Sequence, residues 1–392
     1  MIRIENLVIH CATKTFPEDH QEEPWPKLLH PLDLYEDQNP PPKGGKKSPP
    51  QVRQFFLEIQ TDSDISGWYG PITEIQKTLI LQQLRPLLMG KNPLSIETLQ
   101  DQMLRLERHG RSGLFMTAIS MVDIALWDLK GKFLNLPVYE LLGGPTRDRV
   151  PAYASMLGYS NNPDIAGPLA IKIQQDGYPA QKWFFPFGPK DGPKGMSENI
   201  RFAEGLRDAV GPDYPLMFDA AMSWNETYSI DLLKKLEPIH PYWIEEPVPP
   251  ERIQGFQAIR RNTSIRLATG EHVYGRWQTL ELLKSGSIDI LQNDPVWTGG
   301  ITEQLKIASL ASSFGIPLIA HGHALLPPLH LAFALSPETV PMVEYLVRVQ
   351  NGKQYFEKNP LKPDQGHFSI PNTPALGLEF DEAKWDTFET LD

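Results

Sequence analysis

Five apolar segments in the second half of the chain end in an acidic residue or a histidine, at a nearly constant spacing. The chemistry-bearing residues are Asp219, Glu245, Glu271, Asp294 and His321, separated by 26, 26, 23 and 27 residues. This interval is typical of one strand-helix unit, and the carboxyl ends of barrel strands converge on one mouth. A single Asp after a strand would be explained as a helix N-cap. Five successive strands that end in this way predict a catalytic site instead.

Three of these residues favour a metal centre. Asp219, Glu245 and Glu271 end three adjacent predicted strands, and carboxylate oxygens are the ligands that Mg²⁺ prefers. Zinc is disfavoured because the sequence shows no cluster of His and Cys residues. We therefore expect one Mg²⁺ ion, with substrate oxygens completing its coordination.

The other two residues favour acid-base chemistry. Asp294 and His321 end the next two predicted strands. A carboxylate beside a histidine orients the imidazole ring and raises its basicity. The pair is predicted to be a general base.

The elements that position these residues follow from hydrophobic periodicity. Beyond about residue 141, short apolar strands alternate with amphipathic helices in units of about 25–30 residues. This alternation predicts a (β/α) barrel or a doubly wound sheet. The doubly wound sheet is disfavoured because the sequence contains no GxGxxG or GxxxxGK[ST] motif.

The first 140 or so residues have a different pattern, typical of an α+β unit. Two strand-like segments, Ile2–Cys11 and Phe55–Thr61, flank a stretch with nine prolines. That stretch, about residues 12–54, is predicted to be a lid loop, and the alternative is a disordered insertion. Helical periodicity follows over 73–88, 95–107 and 114–130. The last of these segments is apolar on nearly all sides and should be buried.

Composition excludes several classes of protein. The chain has 392 residues, a formal net charge of −11 and 41% hydrophobic residues. An acidic balance argues against a nucleic-acid-binding protein, and the absence of an 18-residue apolar run argues against a membrane protein. The single cysteine, Cys11, excludes a disulfide framework. We expect a cytoplasmic protein.

Several segments together resemble the enolase superfamily, mandelate racemase subgroup. The motifs are MVDIALWDLKGKFLNLPVYELLGGP, WIEEP, TGEH, NDPVWTGGITE, AHGH, VEYL and PNTPALGLEFDEA. Within the subgroup, KWFFPFGPKDGPKG and DPVWTGG are similar to the L-rhamnonate dehydratases and related acid-sugar dehydratases. The resemblance extends over nearly the whole chain.

The resemblance implies an α/β fold, a modified TIM barrel of (β/α)7β type with an N-terminal α+β capping domain. The cap would span 1–140, the barrel 141–350, and a C-terminal segment, 351–392, would pack back on the cap. The family's roles make Asp219, Glu245 and Glu271 the Mg²⁺ ligands and Asp294 with His321 the acid-base dyad. The resemblance also implies a small carboxylate substrate, an acid sugar, and a homo-oligomer.

One position departs from the racemases of this superfamily. They carry Lys-x-Lys or Lys-x-His on the second strand, where the second residue is a base on the opposite face of the substrate. Here QKWFF places Phe184 at that position, and phenylalanine cannot transfer a proton. A dehydratase needs one base, so we expect His321 to remove the proton α to the carboxylate and then to protonate the departing 3-hydroxyl.

The remaining site predictions concern substrate binding. Lys182 would pair with the substrate carboxylate or face solvent, and the resemblance makes Glu344 a hydrogen-bond partner of that carboxylate. Trp297 would wall the pocket or pack. His30 and Arg53, with Lys46 and Lys47, lie in or beside the lid and would contact the distal end of the sugar acid. Glu246 is expected beside the metal ligands, and His323 in a loop.

Three other functions stay open on the sequence alone. One is an epimerase or racemase, which Phe184 opposes. Another is a cycloisomerase of a diacid, which the His–Asp dyad opposes. The third is a non-catalytic, metal-dependent protein that binds sugar acids, for which a positioned base would have no use.

Overall fold

The computed structural model describes residues 2–17, 25–35 and 50–391. The strands of the described residues are β1 (Ile4–Thr15), β2 (Gln51–Thr61), β3 (Gly67–Ile72), β4 (Arg149–Ser155), β5 (Gln181–Phe184), β6 (Leu216–Asp219), β7 (Trp243–Glu245), β8 (Leu267–Thr269), β9 (Ile290–Leu291), β10 (Val343–Leu346), β11 (His367–Ser369) and β12 (Thr387–Leu391). The helices are α1 (Glu74–Leu79), α2 (Arg85–Leu88), α3 (Ile96–Leu106), α4 (Gly113–Leu134), α5 (Val138–Leu141), α6 (Pro163–Gln175), α7 (Gly192–Val210), α8 (Glu226–Leu236), α9 (Ile253–Arg260), α10 (Gly275–Lys284), α11 (Gly300–Ser313), α12 (Leu326–Ala334) and α13 (Val349–Lys353).

The N-terminal part is an antiparallel sheet covered by helices. Its strand order is β12-β1-β2-β3, so the last strand of the chain pairs with the first. The apolar helix α4 packs on β3 and β2 and is buried along most of its length. This burial follows from its sequence, because apolar residues surround the helix and leave no polar face for solvent.

The second part is a curled parallel sheet with helices on its outer side. Its strand order is β10-β4-β5-β6-β7-β8-β9. Leu318 forms a parallel bridge with Leu291 of β9 and occupies the next position around the curl. The predicted alternation of strands and helices is therefore confirmed, and it gives the mixed α/β, barrel-like architecture.

The predicted strand IPLIAH is reduced to this bridge. The backbone of Leu291 donates to Pro317 O at 3.0 Å, and Ile319 N donates back to Leu291 O at 2.8 Å. Leu318 N instead donates to Thr339 O at 2.8 Å, outside the strands. His321 consequently lies in irregular backbone just beyond the bridge, still at the carboxyl end of the sheet.

Side chains inside the curl form two sets that are two residues apart along the chain. The first set, which we call the inner apolar cluster, fills the interior with one residue from or next to each of β4 to β9 and one from the bridged segment: Tyr153, Ala180, Met217, Trp243, Ala268, Ile290 and Ile319. Because alternate residues of a strand face the same side, the residue two places further on also faces inward. That rule places Lys182, Asp219, Glu245 and His321 above the cluster.

Among the described residues, no helix combines the length and apolar character that crossing a membrane requires.

Candidate active site

The predicted residues meet at the carboxyl ends of the parallel strands. Asp219 and Glu245 end β6 and β7, and Glu271 lies two residues after β8. A cavity of about 270 Å³ opens at this end. Its lining includes six of the residues predicted from sequence: His30, Lys182, Asp219, Glu271, His321 and Glu344. The structure therefore brings together residues that are more than 300 positions apart in the chain.

The His321–Asp294 pair has the geometry of an oriented base. His321 Nδ1 lies 3.0 Å from Asp294 Oδ2, and the other oxygen of this fully buried aspartate accepts from Val296 N at 2.8 Å. Burial opposes protonation of His321, but the charge of Glu271 and the hydrogen bond to Asp294 outweigh it and raise the pKa of His321 to about 10. His321 Nε2 is directed away from Asp294 and lies 3.8 Å from Glu271 Oε2.

Trp297 packs against this base. Its ring stacks on the His321 imidazole with 4.7 Å between centroids and 30° between planes. An aromatic face stabilises a neighbouring cation. Trp297 therefore packs against the base and is not among the residues that line the cavity.

Lys182 is a buried cation among three carboxylates. Its Nζ lies 2.6 Å from Glu245 Oε1, 2.9 Å from Glu344 Oε1 and 3.6 Å from Asp219 Oδ2, and the residue is 1% exposed. Burial lowers its pKa, but the charges of Glu245 and Glu344 outweigh burial and raise the pKa well above its ordinary value. The alternative that Lys182 faces solvent is wrong, because its strand turns the side chain into the curl.

The site holds more negative charge than Lys182 neutralises. Burial, together with neighbouring acids, raises the pKa of Asp219 to about 6, of Glu271 to about 7 and of Glu245 to about 8. Raised pKa values of this kind arise where carboxylates are crowded away from water. A divalent cation would relieve the repulsion, so the donor set fits the predicted metal.

Two candidate sets of metal-ligating residues share Glu271. The sequence predicted Asp219 and Glu245 as its partners. Among the described residues, however, the potential ligand atoms that lie within 4.8 Å of one another belong to Glu246, Glu271 and His272. In this arrangement Glu245 is fully buried, with its oxygens on Lys182 and on Gln292 Nε2, the latter at 2.6 Å.

Glu246, expected beside the metal ligands, has an unusual backbone. Its φ of 39° lies in the left-handed region, which non-glycine residues adopt infrequently. Its oxygens contact Thr269 Oγ1 at 3.1 Å and His272 Nδ1 at 3.0 Å. The turn thereby brings two consecutive glutamates into the same site.

Gln292 and His272 are site residues that the sequence analysis did not identify. Gln292 lies two residues before Asp294, and strand alternation alone would have placed it inside the curl. His272 stands in the TGEH segment next to Glu271. Its pKa is raised to about 9, because hydrogen bonding and charge from Glu246 outweigh burial.

The lid residues are divided between two places. His30 lines the cavity and begins a short 3-10 turn, with its Nδ1 accepting from Leu32 N at 3.0 Å. Arg53 is exposed on β2, with Nε 3.3 Å from Cys11 Sγ and its guanidinium over the Phe55 ring. The structure does not bring Arg53 to this cavity. Lys46 and Lys47 lie outside the described residues.

Phe184 lines the cavity at the position where racemases carry a second base. Its ring centroid is 5.4 Å from Lys182 Nζ. Much of the remaining wall is also apolar, formed by Leu28, Leu29, Leu157, Phe185, Met222 and Leu346. The titratable groups of the cavity are thus concentrated around Lys182, the carboxylates and His321.

Comparison with known proteins covers both parts of the chain. Residues 46–143 match the family described as "Mandelate racemase / muconate lactonizing enzyme, N-terminal domain", and residues 169–384 match "Enolase C-terminal domain-like". Arabinonate dehydratase of Saccharolobus solfataricus is 31% identical over 88% of this chain and 93% of its own. D-galactarolactone cycloisomerase of Agrobacterium fabrum is 31% identical over 86% of this chain and 91% of its own. The crystal structure of rhamnonate dehydratase from Gibberella zeae complexed with Mg superposes with a TM-score of 0.83, at 28% identity over 97% and 95% of the two chains.

Proposed function

Because the chain belongs to the mandelate racemase / muconate lactonizing enzyme family of the enolase superfamily, we propose that it is a Mg²⁺-dependent dehydratase of an acid sugar. The substrate would be an aldonate of the L-rhamnonate type, and the product a 2-keto-3-deoxy acid. One observation carries the proposal: the His321–Asp294 dyad faces the cavity, while the opposite base position holds Phe184.

His321 would perform both proton transfers. Its Nε2 takes the proton from the carbon α to the carboxylate, since Nδ1 is held by Asp294. The electron pair left on carbon then expels the 3-hydroxyl, which leaves as water with the proton that Nε2 returns. The resulting enol tautomerises to the 2-keto-3-deoxy acid. One side chain is sufficient, because the accepted proton and the donated proton are on the same nitrogen.

The carboxylates would hold the metal. Asp219, Glu245 and Glu271 are the proposed Mg²⁺ ligands, supported by their crowding in a buried site. Bound Mg²⁺ would supply positive charge to the substrate carboxylate as negative charge develops during proton removal. Glu246 with His272 is the rival donor set, and variants of Glu245 and Glu246 distinguish the two.

Three residues are proposed to orient the substrate. Lys182 would pair with the substrate carboxylate in addition to the acids around it. Glu344 would accept a hydrogen bond from a substrate hydroxyl, in addition to the one it accepts from Gly322 N at 2.7 Å. The substrate carboxylate, which the resemblance implied as its partner, has no proton to donate to an ionised glutamate. His30 would contact the distal hydroxyls, because it is the polar residue that the described part of the lid contributes to the cavity.

A second candidate is cycloisomerisation, which is favoured by the similarity to the Agrobacterium fabrum enzyme. It would use the same base, and its substrate would be a sugar lactone. Racemisation and epimerisation are disfavoured because Phe184 cannot return a proton to the opposite face.

A substrate screen tests the proposal. Purified protein with Mg²⁺ is incubated with aldonic and aldaric acids, L-rhamnonate included, and with galactarolactone. The products are assayed as 2-keto-3-deoxy acids, beside a His321→Asn control and an EDTA-treated sample. We expect an aldonate to be dehydrated by the native enzyme alone. Conversion of the lactone without conversion of any aldonate would replace the proposal with cycloisomerisation, and binding without turnover would replace it with a binding role.

A further inference from the structure

The loop that follows His321 is held by helix α13. Gln350 Nε2 donates to Gly322 O at 2.7 Å. Lys353 Nζ donates to His323 O at 2.8 Å and lies 2.7 Å from His323 Nδ1. Gln350 and Lys353 are three residues apart, so they extend from the same face of the helix. The first two residues after the base are thus fixed by one short helix.

Lys353 is partly buried and lacks an acidic partner. Among the residues that the structure describes, its nitrogen contacts no carboxylate. Its surroundings include Tyr69, Met121 and Leu325, and burial lowers its pKa to about 7. A lysine in such a place costs stability relative to an apolar side chain. The cavity beside it measures about 30 Å³, which admits water and excludes a substrate.

The His323 ring connects Lys353 to the base. His323 contacts Trp297 with 5.0 Å between ring centroids, and Trp297 stacks on His321 at 4.7 Å. Lys353 Nζ lies at the Nδ1 edge of the His323 ring. A chain of direct contacts therefore runs from Lys353 through His323 and Trp297 to His321. Lys353 neither lines the active-site cavity nor contacts His321 or Asp294.

We propose that Lys353 is a positioning residue for His321. By donating to the ring and the backbone carbonyl of His323, it fixes the ring against which Trp297 packs, and thereby the orientation of the base. This inference rests on the proposed function for its kinetic test. It accounts for a partly buried lysine that no step of that function uses.

The kinetic test compares Lys353→Met with Lys358→Met. Methionine keeps the length and bulk of the side chain and removes the donor, and Lys358 is an exposed lysine five residues further on. We expect Lys353→Met to lower kcat about tenfold or more, because small displacements of a catalytic group are costly. KM should stay within about twofold and Tm should stay close to native, since removal of a partly buried ammonium group offsets the loss of its two hydrogen bonds. Native kcat, or a fall in kcat that parallels a fall in Tm, would overturn the proposal.

A spectroscopic test does not depend on turnover. Imidazole ¹⁵N shifts of histidine-labelled native protein should show His323 with its proton on Nε2, as a lysine donor at Nδ1 requires. In Lys353→Met this signature should be lost and the His321 signals should move, whereas Lys358→Met should leave both in place. A proton on Nδ1 in the native protein, or unchanged His321 signals in the Lys353 variant, would contradict the proposal even if the screened substrates fail.

Discussion

The inner apolar cluster and the charged residues above it lie on the same strands, two residues apart, and they serve opposite purposes. On β6, Met217 is fully buried among apolar neighbours, while Asp219 is buried among acids. On β7 the same contrast separates Trp243 from Glu245. Packing of the first kind stabilises the fold, whereas crowded buried charge opposes it.

The difference shows that the buried charged residues of the site lower the stability of the fold. Buried like charges persist only where the surrounding structure holds them in place, and here the apolar cluster supplies that support from below. Removing a member of the charged set should therefore end activity and spare the fold. Removing a member of the apolar cluster should instead lower the free energy of unfolding.

The largest effect is expected for His321→Asn. Loss of the group that performs both proton transfers should lower kcat by about 10³–10⁴. Tm and Mg²⁺ affinity should stay close to native, because Asn fills part of the space and no proposed ligand is lost. Kinetics, thermal unfolding and calorimetric Mg²⁺ titration measure the three quantities. Retained turnover would remove His321 from the mechanism.

Glu245→Gln and Glu246→Gln form a matched pair of neighbouring substitutions. We expect Glu245→Gln to abolish detectable Mg²⁺ binding and to lower turnover by about 10³, since a charged ligand is lost. Glu246→Gln should weaken Mg²⁺ by about 10–100-fold, as loss of an outer partner does. Isothermal titration compares the two. The reverse order would assign the metal to Glu246, Glu271 and His272.

On β6, Met217→Ala and Asp219→Asn test the contrast within one strand. Met217→Ala leaves a cavity and should lower the free energy of unfolding by about 2–5 kcal/mol. Asp219→Asn should leave it unchanged or raise it in metal-free protein, because a crowded carboxylate is neutralised. Denaturant titrations give both values. A larger loss for Asp219→Asn than for Met217→Ala would break the comparison.

A smaller effect, on the pH dependence of stability, is expected from His330, a buried histidine outside the site. His330 lies between Tyr139 N and Leu376 O, with no acid among its hydrogen-bond partners in the described part of the chain, and burial lowers its pKa to about 4. The unfolded chain then binds the proton more tightly between pH 6.5 and 4, so stability falls as pH falls through this range. The slope is about 1.4 kcal/mol per pH unit, or about 3 kcal/mol in all. His330→Gln should flatten this part of the stability curve measured by thermal unfolding, and an unchanged slope would show that other groups set it.

Much of this arrangement could be predicted from local pattern. Strand-helix alternation located Asp219 and Glu245 at strand ends, because one buried sheet face repeats the same signal in every unit. The same alternation places Gln292 inside the curl, but an amide carries none of the acidic or histidine signal that marks the other strand ends. His321 was predicted on a strand, and the structure keeps one bridge there, at Leu318.

Contacts between segments that are distant along the chain could not be predicted from the sequence. Lys182 was expected to face the substrate or solvent, and its pairing with Glu344 joins residues 162 positions apart. Arg53 was assigned to the substrate from its place near the lid, yet β2 directs it to Cys11. Hydrophobic periodicity does not indicate which partner a long side chain such as that of Lys182 or Arg53 contacts.

The central claim is that one base acts on one face of an acid sugar. The most direct measurement is turnover of the substrate found in the screen, carried out in D₂O to partial conversion. We predict a 2-keto-3-deoxy product that carries deuterium at C3, and recovered substrate that keeps its configuration at C2. Epimerised substrate would contradict the account, because it would require a second base on the face that Phe184 occupies.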